Sequence, residues 1–255
     1  MPLTAQFVRN LQRFRLVTFD VTDTLLRLKD PTTQYIQTAA ANGVASLDRT
    51  KMELCFRQQF KWMSKKHKNY GRNTPNMEWQ SWWLQLVAKT FNCVDANIPQ
   101  DKLQIIAEQL LSLFRTSACW THINCAAELV QCVRQAGKCV GVISNFDPSL
   151  PQVLSAMGFD KKFDFILTSY EAGVMKPDPG IFQIPVKRLQ IAPSEALHIG
   201  NKFDLDYLGA RNSGWSSLLV QSQPDPKLDT SSAAKYSFPS LAKMLQTLES
   251  QEFAW

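Results

Sequence analysis

The sequence predicts an α/β fold, a Rossmann-like parallel sheet core with an all-helical segment inserted near its start. Three observations carry that expectation. A short apolar run, RLVTFD at 15–20, reads as a buried strand that ends on an aspartate and a polar turn. From about 30 to 117 nothing alternates with period two, and apolar residues recur at helical spacing. From about 124 onward the pattern becomes strand, helix, strand, which implies parallel strands joined by right-handed crossovers. In such sheets the reactive edge lies at the carboxyl ends of the strands.

The elements follow in order. The inserted segment should hold helices near 31–43, 48–69, 76–92 and 100–116, which assigns 29–117 to the insertion and leaves 1–28 and 118–255 to the sheet. A helix at 124–136 closes at Gly137, a natural residue for the left-handed end of a helix. The strand KCVGVIS follows, then Asp147 as the cap of a helix with Pro148 in its first turn. Next come the strand FDFILTS, a helix from PDPGIF, the strand ALHIG, the helix DLDYLGARN ended by Gly214, and the strand SSLLV. Pro185 breaks a local rule. It falls inside the helix after PDPGIF and should kink or end it, because a proline within a continuous helix costs ~3 kcal/mol.

Composition narrows the function classes. The chain has 255 residues, 45% hydrophobic and 20% charged, enough for a large core. Its net charge of +6 suits an anionic substrate, but the basic residues are spread out rather than massed in a tail, so no nucleic-acid partner is expected. Six cysteines form no C-x-x-C pair and three histidines lack zinc-ligand spacing; the expectation is reduced core thiols in an intracellular protein. No apolar run approaches the ~20 residues of a membrane span, and no secretory signal precedes the first strand. Arg9, Arg13 and Arg15 hint at a mitochondrial presequence, yet the strand begins near Phe14 and leaves little to cleave. The cytoplasm is the expected compartment, with nucleus and mitochondrion left open. Oligomeric state is not fixed by the sequence.

The strand ends collect the chemistry. Asp20 ends the first strand with Thr24 beyond it, another strand ends at Ser144 and Asn145, a loop carries Lys176, and a last strand leads through Asn201 to Asp204 and Asp206. Acid, hydroxyl, amine and acid converge on one edge. DVTDTL, VISN, KPDP and IGNKFDLDYLGA, in that order and spanning most of the chain, resemble the four motifs of the haloacid dehalogenase superfamily, whose helical cap sits where this insertion lies.

That resemblance implies roles residue by residue. Asp20 attacks phosphorus, or a carbon bearing a leaving group, to give an aspartyl ester that water hydrolyses. Thr24, Ser144 and Asn145 hold the transferring group, and Lys176 offsets negative charge. Asp20, the backbone carbonyl of Thr22 and Asp206 hold Mg²⁺, with Asn201 and Asp204 behind them. The substrate is a small anionic molecule, most simply a phosphorylated one. Two positions depart from the pattern. Thr22 stands where most phosphatases of the family have the aspartate that protonates the leaving oxygen, a loss of about 10²- to 10⁴-fold in rate. Asn201 replaces a common aspartate and removes a charge from the metal site. A slow Mg²⁺-assisted phosphatase is therefore the leading expectation, with a metal-independent dehalogenase-like hydrolase and a catalytically inactive binding protein as alternatives.

Other residues have blander readings. Asp23, in place of a usual glycine, either caps the following turn or puts a carboxylate near the site, and the cap is favoured. Trp62, Trp79, Trp82 and Trp83 line a pocket or fill a core, and aromatics at helical spacing favour the core. Lys61, Lys65, Lys66, Lys68 and Arg72 read as a solvated helix face, and His198 as a core residue.

Overall fold

The run at 15–20 forms the central strand of the sheet. The computed structural model describes residues 3–222 and 232–255. After helix α1 (Ala5–Leu11) comes β1 (Leu16–Phe19), buried at every position. β2 (Leu26–Leu28) follows the polar turn, then α2 (Pro31–Ala41), α3 (Arg49–Lys66), α4 (Trp79–Val94) and α5 (Gln100–Leu113). β3 (Trp120–His122) pairs with β2 as a two-stranded ribbon. The rest alternates: α6 (Ala126–Gln135), β4 (Cys139–Ser144), α7 (Leu150–Ala156), β5 (Phe165–Thr168), α8 (Ser169–Ala172), α9 (Pro179–Leu189) and β6 (Ala196–Gly200). A π-helical turn at Phe203–Leu208 runs into α10 (Gly209–Asn212), then β7 (Ser216–Val220), β8 (Ser237–Phe238) and α11 (Leu241–Ser250).

The six-stranded sheet has the order β5-β4-β1-β6-β7-β8, with every pairing parallel. The chain winds outward from β1 first through β4 and β5 and then, on the other side, through β6, β7 and β8. The carboxyl ends of β1, β4 and β6 thus meet at the point where strand order reverses, which is where open parallel sheets bind ligands. This is the Rossmann-like α/β fold that the alternation of elements predicts.

The chain divides into two compact units. One comprises 1–27, 122–145 and 158–255 and contains the whole six-stranded sheet; the other comprises 28–121 and 146–157. The helical unit therefore takes 146–157, which the sequence assigns to the sheet. Its core joins Tyr35 of α2, Met52 of α3, Phe91 of α4 and Ile106 and Leu110 of α5. Asp30 and Asp48 start α2 and α3 by accepting from the N–H groups of Thr33 and Lys51, the capping geometry their side chains favour. Trp82 is buried while Trp62 is 41% exposed, so the tryptophans do not form one core cluster.

Several expectations need correction. Cys55 and Cys93 are joined by a disulfide, because α3 and α4 pack side by side and bring their Cα atoms to 5.8 Å. The thiols therefore give no argument for a reducing compartment. α9 continues through Pro185, whose ring is buried; a proline deep in an eleven-residue helix deprives only one carbonyl of its donor. α7 begins at Leu150 rather than at Asp147, with Pro151 in its first turn. Asp147 accepts instead from Ser149 N–H and Trp83 Nε1, both at 2.8 Å, and burial raises its carboxyl above the ordinary value. Asp23 caps nothing. It has a left-handed φ of +59°, the backbone that glycine adopts without cost, and its carboxylate pairs with Arg27 at 3.0 Å. No helix among the described residues is long and apolar enough to cross a membrane.

Candidate active site

Every group of the site comes from the sheet-containing unit. β1 ends one residue before Asp20, whose N–H is held by the carbonyl of Ile199 at 2.9 Å, so the aspartate leaves the strand still in register with β6. β4 ends on Ser144, β6 on Gly200, and the loop before α9 supplies Lys176. The four elements converge as the strand order requires.

Lys176 is the centre of the cluster. Its Nζ lies 2.8 Å from Asp20 Oδ1, 2.6 Å from Asp206 Oδ1 and 2.8 Å from the carbonyl of Ile143. An ammonium has three protons, and all three are used. Burial opposes its charge, but the two carboxylates outweigh that effect and hold Lys176 above the ordinary lysine value.

Asp20 is asymmetric. Its Oδ1 accepts from Ser144 Oγ at 2.9 Å as well as from Lys176, while among the described residues Oδ2 has only the hydroxyl of Thr24, at 3.4 Å. The lone pairs of one oxygen are committed and those of the other are almost wholly unspent. Thr24 Oγ1 also lies 3.5 Å from Asn201 Oδ1. Thr22 sits half-buried in the turn, bridged to Leu26, and no acid stands in its place.

Asn145 holds the backbone of its neighbour in the site. Its amide accepts from Lys176 N–H at 2.7 Å and donates to the Lys176 carbonyl at 3.0 Å, so it grips the backbone of the lysine. Ser144 likewise turns its proton toward Asp20. Both residues position the site's own charged groups in this arrangement.

Asp206 is buried beneath the cluster. Its Oδ1 accepts from Lys176 Nζ and from His198 Nε2 at 3.1 Å; its Oδ2 accepts from the backbone N–H groups of Asn201 at 3.1 Å and Lys202 at 2.9 Å. Two local features put it there. The π-helical turn lets the Lys202 carbonyl take both Asp206 N–H and Tyr207 N–H, a register shift often found at functional sites. Gly200 leaves the room: a Cβ there would stand 2.3 Å from Asp206 Cγ. Burial favours the neutral acid, but the charge of Lys176 and the donors around Asp206 prevail and hold it below the usual carboxylate range. Asp204, by contrast, is exposed on the turn.

The Mg²⁺ set expected from the sequence does not fit this geometry. A carboxylate offers about four lone-pair sites, and four donors already occupy those of Asp206. Asn201 brings no charge in compensation. Among the described residues, no group of three or more His, Cys, Asp or Glu is placed to hold a metal ion.

His198 is the residue that the sequence reading passed over. It is buried, as expected of a strand residue, but it bonds Asp206 and Thr18. A faint signal existed: Thr18 and His198 are polar residues in otherwise apolar strands, and they face each other across the β1–β6 register.

A strand-end aspartate gripped by a lysine, on a sheet of this order, is the arrangement that the resemblance of the four sequence motifs to the haloacid dehalogenase superfamily implies. The family model described as "haloacid dehalogenase-like hydrolase" matches residues 14–214, and the chain belongs to that family. It is 42% identical over 222 residues to the rhythmically expressed gene 2 protein of Drosophila melanogaster, covering 84% of this chain and 85% of that one. It is 36% identical over 240 residues to haloacid dehalogenase-like hydrolase domain-containing protein 3 of Bos taurus, covering 93% and 94%. Among solved structures, a 2-haloacid dehalogenase from Pseudomonas syringae pv. tomato DC3000 shares the fold, with a TM-score of 0.65 at 18% identity over 92% of this chain and 98% of that one.

Proposed function

We propose that this chain hydrolyses small anionic substrates through a covalent ester on Asp20 Oδ2, with Lys176 rather than a divalent cation balancing the charge of the site. The observation that supports this reading is the asymmetry of Asp20: Oδ1 is held by Ser144 and Lys176, and Oδ2 is left to attack. Attack forms the Asp20 ester and the leaving group departs with the bonding electron pair. Water then cleaves the ester and restores the carboxylate.

Two features narrow the substrate. Thr22 cannot protonate a leaving group, so leaving groups that are stable as anions, such as a halide or the carboxylate of an acyl phosphate, escape the penalty of about 10²- to 10⁴-fold that falls on alkoxides. Two carboxylates and one ammonium also sum to one negative charge at the centre of the site. That charge favours attack on carbon in a singly charged acid over attack on a doubly charged phosphate.

The test is rapid mixing with 2-chloropropionate and, separately, acetyl phosphate, each with and without chelator, read by intact mass and product release beside an Asp20→Asn control. An Asp20-dependent adduct insensitive to chelator is the expected result. Phosphate release abolished by chelator would return the reading to a Mg²⁺-assisted phosphatase. Absence of any adduct would leave a binding protein on a hydrolase fold.

A further inference from the structure

The imidazole of His198 lies fully buried between two partners, with the ring of Phe182 nearly perpendicular to it at a centroid distance of 5.4 Å. Nδ1 is 2.9 Å from Thr18 Oγ1 and Nε2 is 3.1 Å from Asp206 Oδ1. An ionised carboxylate only accepts, so the proton of the ring must be on Nε2. Nδ1 is the nearer partner of the Thr18 hydroxyl. The alternative acceptor for that hydroxyl, the Leu197 carbonyl, is farther away at 3.4 Å.

We infer that His198 is a positioning residue of the Asp20 site: held at Nδ1 by Thr18, it supplies from Nε2–H the donor that fixes the Asp206 carboxylate and, through it, Lys176 and Asp20. Asp206 Oδ2 is already pinned to two backbone N–H groups. With Oδ1 shared between His198 and Lys176, the carboxylate cannot turn, and Lys176 divides its protons among three fixed acceptors. Without the histidine donor, a lone pair of Asp206 Oδ1 is left for Lys176 alone, which is drawn toward Asp206 and away from Asp20. The nucleophile then loses the partner that aims Oδ2. The kinetic part of this inference rests on the proposed Asp20 reaction; the Nε2 proton does not.

The experiment compares the wild type with His198→Phe, His198→Gln and Thr18→Val. Phenylalanine keeps a ring and removes the donor, whereas the glutamine amide can still donate to Asp206. Nitrogen-15 spectra of the imidazole, assigned by the signal lost in His198→Phe, should show a ring protonated at Nε2, with Nδ1 perturbed in Thr18→Val. Single-turnover adduct formation on 2-chloropropionate should slow about tenfold to a hundredfold in His198→Phe at unchanged half-saturation, the scale expected of a misplaced reacting group. His198→Gln should recover most of that loss. A ring without a proton on Nε2 would overturn the inference. So would equal rates in the phenylalanine and glutamine variants, or rates that follow urea stability alone. If the wild type formed no adduct, the proposed function would fall, and the imidazole spectrum by itself would decide the place of His198.

Discussion

Two ion clusters, each of one cation between two carboxylates, sit in the two units and behave as opposites. In the sheet unit, Lys176 bridges Asp20 and Asp206 at 2.8 and 2.6 Å with every side chain 10% exposed or less. In the helical unit, Arg49 bridges Asp30 and Glu53 at 2.6 and 3.2 Å, with its own side chain and that of Asp30 about half exposed. Contact distance therefore says little about consequence. Water and salt can replace either partner of Arg49, whereas nothing replaces Lys176 once two carboxylates are buried against it.

The sharpest way to break the buried cluster is Lys176→Met, which keeps the length of the side chain and deletes the charge. Removing one member of a buried ion pair costs about 3–5 kcal/mol, because the remaining charge is left uncompensated. Urea denaturation should show a loss on that scale, together with loss of any Asp20 adduct. A change no larger than that of a typical surface substitution would mean that the two carboxylates find other partners, and the contrast between the clusters would fail.

Asp206→Asn separates the charge of the acid from its shape. The native carboxyl titrates below the value of 3.8 that it has in the unfolded chain. Its contribution is therefore complete above 3.8 and drains away as pH falls through the lowered native value. The stability difference between wild type and Asp206→Asn should be about 3 kcal/mol near neutral pH and should shrink only below about pH 4. A difference that stayed constant through that acid range would show that Asp206 gains nothing from its charge.

The cluster was largely legible in the sequence, and the reasons are physical. Asp20, Ser144 and Lys176 are each tied to the end of a strand or the loop after one, and parallel order alone forces those ends together. What the sequence withheld were relations between side chains. Asp206 reads as a metal ligand until its four donors are counted, and two of those are the backbone N–H groups of Asn201 and Lys202, just before the π-helical turn that carries the acid back to them. Asn145 and His198 read as substrate contact and core filler because the grip on Lys176 and the bond to Asp206 depend on side-chain direction. Elsewhere the misses share a cause. The Cys55–Cys93 disulfide depends on how two helices pack, and α1 is held by contacts across the chain: Asn10 donates to the carbonyls of Leu248 and Gln251 at the far end of the sequence.

Gly200→Ala tests the buried cluster from the backbone side. The added methyl would stand 2.3 Å from Asp206 Cγ and force that carboxylate from its place. Overpacking of this kind costs about 1–3 kcal/mol. The expected signature is a moderate loss in the urea midpoint with a shifted His198 imidazole signal, since the ring would follow its acceptor. An unshifted imidazole would mean that the strand moves and the acid does not.

Arg49→Ala should have the smallest effect and completes the contrast. The guanidinium bonds of Arg49 hold the carboxyl of Asp30 well below the usual carboxylate range, as firmly in direction as Lys176 holds Asp206. On an exposed surface such a shift reports a local preference for the charged form and not a matching gain in stability, because solvent solvates the same charges in the unfolded chain. The urea midpoint of Arg49→Ala should stay close to that of the wild type. Any remaining difference should vanish in about 1 M salt, where the Debye length is ~3 Å, while the effect of Lys176→Met should persist there. A salt-resistant loss in Arg49→Ala would make the outer cluster a structural element of the helical unit, through the side-chain hydrogen bond from Arg49 to Thr33 as much as through its charge.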